Sequence, residues 1–163
     1  MKTNEERLQD LFAYLDRQTH VQPEEIPNID LYMDQVTTFM EKHLGELKRY
    51  PEDKVLTKTM INNYAKNNLL PSPIRKKYTQ DHILLLVFIY YFKNFLSIKD
   101  IETMLEPITD KYFDTDQDFD ITSIYKEVCE LEKSRIPEFE KEIIRSYNSS
   151  KKCFDEAPED DRD

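Results

Sequence analysis

Apolar residues recur at the three- and four-residue spacing of amphipathic helices along most of this chain. The first such stretch covers residues 4–17. The second follows Asp30, a residue type that often caps the start of a helix, and should end at Gly45. The third is a short stretch over residues 57–67. Polar or proline-containing segments separate these stretches, so the pattern predicts three amphipathic helices in the first half of the chain.

The second half of the chain begins with a different pattern. Residues 83–92 form an uninterrupted run of ten apolar side chains, which is too short for a bilayer span of about 20 residues and therefore predicts a buried helix. The following helix should end before Pro107, because proline removes a backbone hydrogen bond and its ring crowds the preceding turn. For the same reason, Pro137 should divide the last helical region, residues 121–147, into two shorter helices.

The composition indicates a helical protein with few tight turns. Gly45 is the only glycine in a sequence of 163 residues, whereas average usage would give roughly eleven. This scarcity excludes Gly-rich phosphate loops, the dinucleotide-binding fingerprint and most tight hairpins. We therefore predict an all-α or mainly α fold. The first ten residues, MKTNEERLQD, contain no apolar segment of a secretory signal, so we expect a cytoplasmic protein without a membrane anchor.

The sequence lacks the residue patterns that carry catalysis or bind metals. Cys129 and Cys153 are isolated cysteines without CxxC spacing, and the three histidines form no HExxH motif. Neither a Walker sequence nor a GxSxG motif occurs. Residues 110–120 contain five aspartates but lack the glycine and the closing glutamate of a calcium loop, so we interpret them as a solvated acidic loop. We predict that the protein is not an enzyme and uses no cofactor or metal.

Charge is distributed unevenly along the chain. Thirty-three acidic and 23 basic residues give a formal net charge of −10, yet residues 44–105 hold ten basic and six acidic residues. The 27 positions from Lys54 to Gln80 contain no acidic residue at all. We call this segment the basic island; its cations are Lys54, Lys58, Lys66, Arg75, Lys76 and Lys77. A segment of one charge sign in an acidic protein indicates a negatively charged partner.

The helix predicted inside the basic island has a polar and an apolar face. At 100° per residue, one side carries Lys58, Thr59, Asn62, Asn63 and Lys66, and the other carries Met60, Ile61, Tyr64 and Ala65. Asparagine pairs with adenine edges and lysine with phosphate or guanine, so the polar side suits a DNA major groove. The alternatives are a solvated helix without a ligand and a protein-interaction module that docks an acidic partner through the basic island.

The stretch LTKTMINNYAKNNLLPSPIRKKYTQDHILLLVFIYYFKNFLSIKDIETML resembles the winged helix-turn-helix of MerR-type transcription regulators. In this resemblance, Ile61–Tyr64 corresponds to the end of the recognition helix and Leu69–Pro71 to the entry of the wing. Arg75–Tyr78 corresponds to the basic strand of the wing, and Ser97–Leu105 to the final helix. Taken together with the upstream motif DLYMDQV, the stretch resembles more closely the YkrK family of Firmicute proteins, which are regarded as MerR-like DNA binders.

The resemblance implies a sequence-specific DNA-binding transcription regulator that represses by blocking a promoter. Its implied partners are double-stranded DNA and a second copy of the chain, and no small-molecule effector is assigned. Asn68 stands where the family has a glycine and should adopt the left-handed backbone conformation. Tyr64 should pack with its hydroxyl near a phosphate. The predicted DNA-binding residues are Lys54, Lys58, Thr59, Asn62, Asn63, Tyr64, Lys66, Arg75, Lys76, Lys77 and Tyr78.

We predict four segments along the chain. Residues 1–28 form an N-terminal helix and loop, and residues 29–106 form the helix-turn-helix DNA-binding domain. Residues 107–148 form C-terminal helices. Residues 149–163 are polar and acidic and should be a disordered tail. The helix-turn-helix core thus carries additional helices at both of its ends.

Overall fold

A computed structural model of the chain describes residues 2–16, 20–48, 50–150 and 153. The elements are α1 (Asn4–Asp16), β1 (Leu31–Tyr32), α2 (Met33–Leu44), α3 (Lys58–Lys66), β2 (Lys77–Tyr78), α4 (Gln80–Phe92), α5 (Ile98–Tyr112) and α6 (Ile121–Ser150). Short 3₁₀ turns cover Pro23–Glu25 and Gly45–Leu47. The prediction of a mainly helical fold is confirmed. The chain folds as two compact units, Val21–Glu127 and Met1–His20 with Val128–Asp163.

Helix α4 lies in the core of the Val21–Glu127 unit. Its nine consecutive residues His82–Tyr90 are all buried, which confirms the prediction from the apolar run. A helix that is apolar on every side must be covered on every side. The first turns of α6 contribute to this cover, because the ring of Tyr125 meets that of Phe88 edge-on at 5.2 Å between centroids. The longest apolar segment of the sequence is therefore the scaffold of this unit.

The segment before α2 is extended, and the predicted cap at Asp30 is wrong. β1 pairs with β2 in antiparallel register, Leu31 opposite Tyr78 and Tyr32 opposite Lys77. The helical pattern had included Leu31 and Tyr32 in the helix, but this pairing holds them in a strand. α2 starts after Tyr32, whose backbone N–H donates to Oε1 of Gln35 at 2.9 Å. The helix ends at Leu44, directly before Gly45 as predicted.

Both prolines that were expected to interrupt helices lie inside them. α5 continues through Pro107 to Tyr112, and α6 is one helix of 30 residues that continues through Pro137. The two predicted breaks are wrong. Both proline rings are exposed, so water can bond the backbone carbonyl that loses its helical partner, and the helix can bend away from the ring. Half-buried side chains continue on the other side of each helix and keep it packed.

The second unit consists of α1 and the part of α6 beyond residue 127. The start of α1 is capped reciprocally, because Thr3 Oγ1 accepts from the Glu6 backbone N–H and the Glu6 carboxylate accepts from that of Thr3. None of the described side chains in this unit is fully buried. Ser149 and Ser150 belong to α6, and the rest of the predicted tail, apart from Cys153, lies outside the described residues.

Within the described ranges, no helix is long and apolar enough to cross a membrane. The division of the chain into four segments stays a prediction.

Candidate nucleic-acid interface

Helix α3 has defined caps at both of its ends. Thr57 Oγ1 accepts from the backbone N–H of Met60 at 3.2 Å, which satisfies one of the free donors of the first turn. Beyond the C-terminus, Asn68 has a φ of 58°, in the left-handed region expected for it. The chain then reverses, and the N–H groups of Leu69 and Leu70 donate to the carbonyl of Tyr64 at 2.9 and 3.2 Å. A nine-residue helix is thereby held at both ends.

The faces of α3 are sorted as the sequence predicts. Ile61 and Tyr64 are buried, and Met60 and Ala65 are half-buried. All five residues of the polar side are exposed: Lys58, Thr59, Asn62, Asn63 and Lys66. We call these five residues the α3 polar face. Because the apolar side fixes the helix to the core, the orientation of the polar face is set by the fold.

Most of the α3 polar face is unengaged. The side chains of Asn62, Asn63 and Lys66 make no hydrogen bond or ion pair with any residue that the structure describes. Lys58 differs, because its ammonium pairs with the carboxylate of Asp34 on α2. Both members of this pair are largely exposed, and such a pair contributes only about 0–1 kcal/mol and can exchange its partner.

A tight turn carries the second group of cations. The N–H of Lys77 donates to the carbonyl of Ile74 at 2.9 Å, which leaves Arg75 and Lys76 as the two central residues. Their φ angles are 52° and 65°, as in the type I′ turns that usually contain Asn-Gly. A residue other than glycine costs about 1–2 kcal/mol in this conformation. The chain thus retains two exposed cationic side chains at positions where glycine would be less strained.

The start of α3 and this turn approach the same end of α2. Lys58 pairs with Asp34 in the first turn of α2. Lys77 Nζ lies 5.7 Å from the ring centroid of Tyr32, the residue that precedes that turn. Asp34 and Tyr32 are two residues apart, so the structure brings Lys58 and Lys77 to one region although 18 residues separate them in the sequence.

The two predicted tyrosines are not part of the exposed surface. Tyr64 is 6% exposed and Tyr78 is 2% exposed. Burial raises the pKa of both phenols above the ordinary value. Both rings pack in the core, beneath the exposed residues of the basic island. Tyr64 packs as we predict, and the position of its hydroxyl near a phosphate stays a prediction.

Lys54 lies at the edge of the basic island, in a groove of about 850 Å³ between α2 and the segment that leads into α3. Glu41 lines the same groove and bonds Lys48 at 2.6 Å. This bond, together with the Val55 N–H and the charge of Lys54, lowers the pKa of the Glu41 carboxyl. Lys54 therefore shares its groove with a carboxylate of α2. Lys58 likewise lies beside an α2 carboxylate, that of Asp34.

Two partly buried polar contacts fix the segments that flank the site. His82 Nδ1 accepts from the backbone N–H of Thr79 at 3.0 Å and so caps α4 directly after β2. Burial lowers the pKa of His82, which keeps Nδ1 free to accept. Lys93 Nζ donates to the carbonyl of Val55 at 2.8 Å, just before α3. These contacts tie both the turn and α3 to the ends of α4.

Sequence reasoning missed Tyr32 and Asp34 as members of this region. Tyr32 is 54% exposed, and neither residue belongs to the basic island. The pairing register of β1 with β2 brings Tyr32 beside Lys77, and a register between two two-residue strands leaves no readable alternation in the sequence. The motif DLYMDQV contains both residues, but nothing in it indicates which cations of the basic island they approach.

Acidic residues gather in a different pocket of the same unit. Asp30, Asp81, Asp114 and Asp120 line a polar pocket of about 280 Å³. Burial raises the pKa of Asp81, although the N–H of Asp114 donates to its carboxylate at 2.8 Å and opposes the shift. In the part of the chain that the structure describes, no group of three or more His, Cys, Asp or Glu is arranged to hold a metal ion.

The Val21–Glu127 unit is thus a small, mainly helical domain with an exposed cationic surface around a short two-faced helix. The chain belongs to the family described as "Domain of unknown function (DUF1836)", whose model matches residues 21–128. The match and the compact unit have nearly the same limits. Neither the curated proteins nor the solved structures gave a match.

Proposed function

We propose that this protein is a sequence-specific regulator that binds double-stranded DNA and reads the major groove with α3. The carrying observation is the α3 polar face, which is exposed, free of carboxylates and largely without intramolecular partners. Asn62 and Asn63 offer amides that match the donor and acceptor pattern of adenine, and Lys66 offers a cation for phosphate or guanine. A folded protein that leaves such groups unpaired on one face has a surface suited to a polar ligand.

The turn at Arg75 and Lys76 supplies the backbone contacts in this proposal. Both side chains are exposed and have no ion pair with the described residues. Phosphate contacts set the register of a protein on DNA, whereas base contacts set its sequence preference. We therefore assign Lys66, Arg75 and Lys76 mainly to phosphates, and Thr59, Asn62 and Asn63 to bases.

The order of elements supports a winged helix-turn-helix of the MerR and YkrK type. α2 and α3 form the helical pair, and the Ile74–Lys77 turn with β2 takes the place of the wing. A chain of net charge −10 repels DNA as a whole. Charge confined to one cationic region would therefore favour docking in a single orientation and limit indiscriminate binding. A protein of this kind would act in the cytoplasm and repress by occupying a promoter.

We expect two copies on each site, because one short recognition helix rarely gives enough specificity. Helix α1 and the distal part of α6 are the candidate dimer surfaces. They enclose a groove of about 670 Å³ lined by Leu15, Ile136 and Phe139 among other residues. Size measurement of the purified chain with and without DNA tests this expectation.

The experiment begins with selection of duplexes from a random oligonucleotide pool by the full chain, followed by gel shifts across a salt series. Changing Lys66, Arg75 and Lys76 to glutamine should reduce the slope of log affinity against log salt by about 2.7, because each lost phosphate contact contributes about 0.9. The matched control changes Lys99, Lys111 and Lys126 to glutamine. These lysines are also exposed, and the control alters net charge equally.

The proposal requires that the control leaves the slope unchanged. Equal slopes for the two triple variants would mean that net charge alone governs binding, which contradicts a defined interface. Failure of the wild type to retard any duplex at low salt, or capture of an acidic protein in place of DNA, would overturn the proposal.

A further inference from the structure

The outer face of the small sheet carries a row of three side chains. Tyr32 is paired with Lys77 across β1 and β2, and Lys77 is paired with Ile74 across the turn. Directly paired residues on antiparallel strands point to the same side of a sheet. Tyr32, Lys77 and Ile74 therefore lie side by side on one face. The neighbouring pair, Leu31 and Tyr78, points to the other face and is buried.

Core packing does not explain why an apolar residue occupies position 74. Its side chain is 64% exposed at the tip of this row. The next two residues are the exposed Arg75 and Lys76, which hold positive φ angles without glycine. An exposed apolar side chain, followed directly by two exposed cations on a turn with only two central residues, forms a compact wedge.

The turn is close enough to α3 for both to reach one duplex. Lys58 at the start of α3 and Lys77 at the end of the turn both contact the same end of α2, next to Asp34 and Tyr32. Adjacent major and minor grooves of B-DNA are separated by half of the helical repeat, or about 17 Å. Tyr32 and Asp34 are two positions apart at the start of α2, so the segments whose lysines reach them are separated by a distance on that scale.

We propose that the Ile74–Lys77 turn enters the minor groove next to the α3 site, where Ile74 inserts at a base step and bends the DNA. The inference rests on the proposed function. It adds a second contact, in a different groove, and this contact bends the DNA. Arg75 and Lys76 bind the phosphates on either side, which favours a duplex over an uncharged apolar partner. Apolar side chains that enter the minor groove in this way partly unstack a step and kink the duplex by about 20–90°.

The test uses the full chain and a duplex selected by the wild type, with a fluorophore at each end and 2-aminopurine at successive steps. Wild type should shorten the end-to-end distance and raise 2-aminopurine emission at one step. Ile74→Ala should lose both signals and keep the salt slope, because the phosphate contacts remain. Ile74→Leu should restore them. Ile98→Ala, which removes an exposed apolar side chain on α5, is the matched control and should behave as wild type.

The possible failures are separable. If wild type binds the duplex without bending it, or if Ile74→Ala bends it as strongly as wild type, the wedge is refuted and the proposed function stands. If wild type binds no duplex, both proposals fail together. Because Ile74 is exposed, thermal melting of each variant should match wild type, which excludes misfolding as the cause of a lost signal.

Discussion

Helices α3 and α6 are both amphipathic, but their polar sides carry charge in different ways. On α6, acids and bases alternate and pair within the helix: Arg135 bonds Glu138 at 2.9 Å and Arg145 bonds Glu142 at 3.0 Å. α3 has no acidic residue, and its cations cannot pair within the helix. Much of the exposed charge of α6 is paired within the helix, whereas on α3 Lys58 pairs with Asp34 of α2 and Lys66 is available to a partner.

The apolar sides of the two helices differ as well. α3 buries Ile61 and Tyr64, while α6 beyond residue 127 has no fully buried side chain among the described residues. Intrahelical ion pairs of the α6 kind contribute only about 0.2–0.5 kcal/mol each. A helix can thus be stabilised by its own charges or positioned by its core contacts. Precise positioning of side chains for a ligand needs core contacts, so α3 is the better site of the two.

The largest expected effect concerns the two faces of α3. Ile61→Ala should lower the free energy of unfolding by about 2–5 kcal/mol, because it leaves a cavity under the helix. Asn62→Ala, one residue away and exposed, should change it by no more than about 0.5 kcal/mol. Urea denaturation followed by circular dichroism measures both values. Similar losses for the two variants would contradict the sorting of the faces.

The next prediction compares equivalent asparagines on α3 and α6. Asn62→Ala should relax the preference for particular base pairs of the selected site by about 1–3 kcal/mol, because a bidentate base contact is lost. Asn148→Ala, on the exposed side of α6, is the control and should leave the preference intact. Competition gel shifts with single-base variants of the site measure this effect. An unchanged base-pair preference in Asn62→Ala would show that Asn62 makes no base-specific contact.

A smaller effect should separate stability from binding at the turn. Replacing Arg75 by Asn and Lys76 by Gly reduces the backbone strain at two residues with positive φ. The change should stabilise the fold by about 1–2 kcal/mol. The same variant should bind DNA more weakly, because two cations are lost. The control Arg75→Gln with Lys76→Gln removes the same charges but keeps the strain, so it should lose affinity without gaining stability. Thermal melting and gel shifts of the two variants check this.

The last prediction concerns pH. Burial holds the pKa of His82 below its unfolded value of about 6.5, against the opposing charges of Asp114 and Asp30. The unfolded chain therefore takes up the proton first, and stability should fall as the pH decreases through about 6.5. His82→Gln keeps an acceptor for the Thr79 N–H and should reduce this dependence. Urea titrations at pH 7, 6 and 5 test it, and parallel losses for both proteins would contradict it.

Local sequence signals predicted much of this molecule. The apolar run of α4, the left-handed Asn68 and the two faces of α3 all depend on neighbours within a few residues, and all are confirmed. The two wrong predictions about helix breaks at proline have a common cause. Pro107 and Pro137 were interpreted from backbone chemistry alone, which does not reveal that both rings face solvent and that packing continues beyond them.

By itself, the sequence determined the helical class, the burial of α4 and the acid-free composition of the basic island, because periodicity and charge are properties of the chain order. Only the tertiary structure decided that β1 pairs with β2, which moves the start of α2, buries Tyr78 and places Tyr32 beside Lys77. The physical reason is that these contacts join residues more than 40 positions apart along the chain. Their free energy depends on the whole core and not on any local pattern.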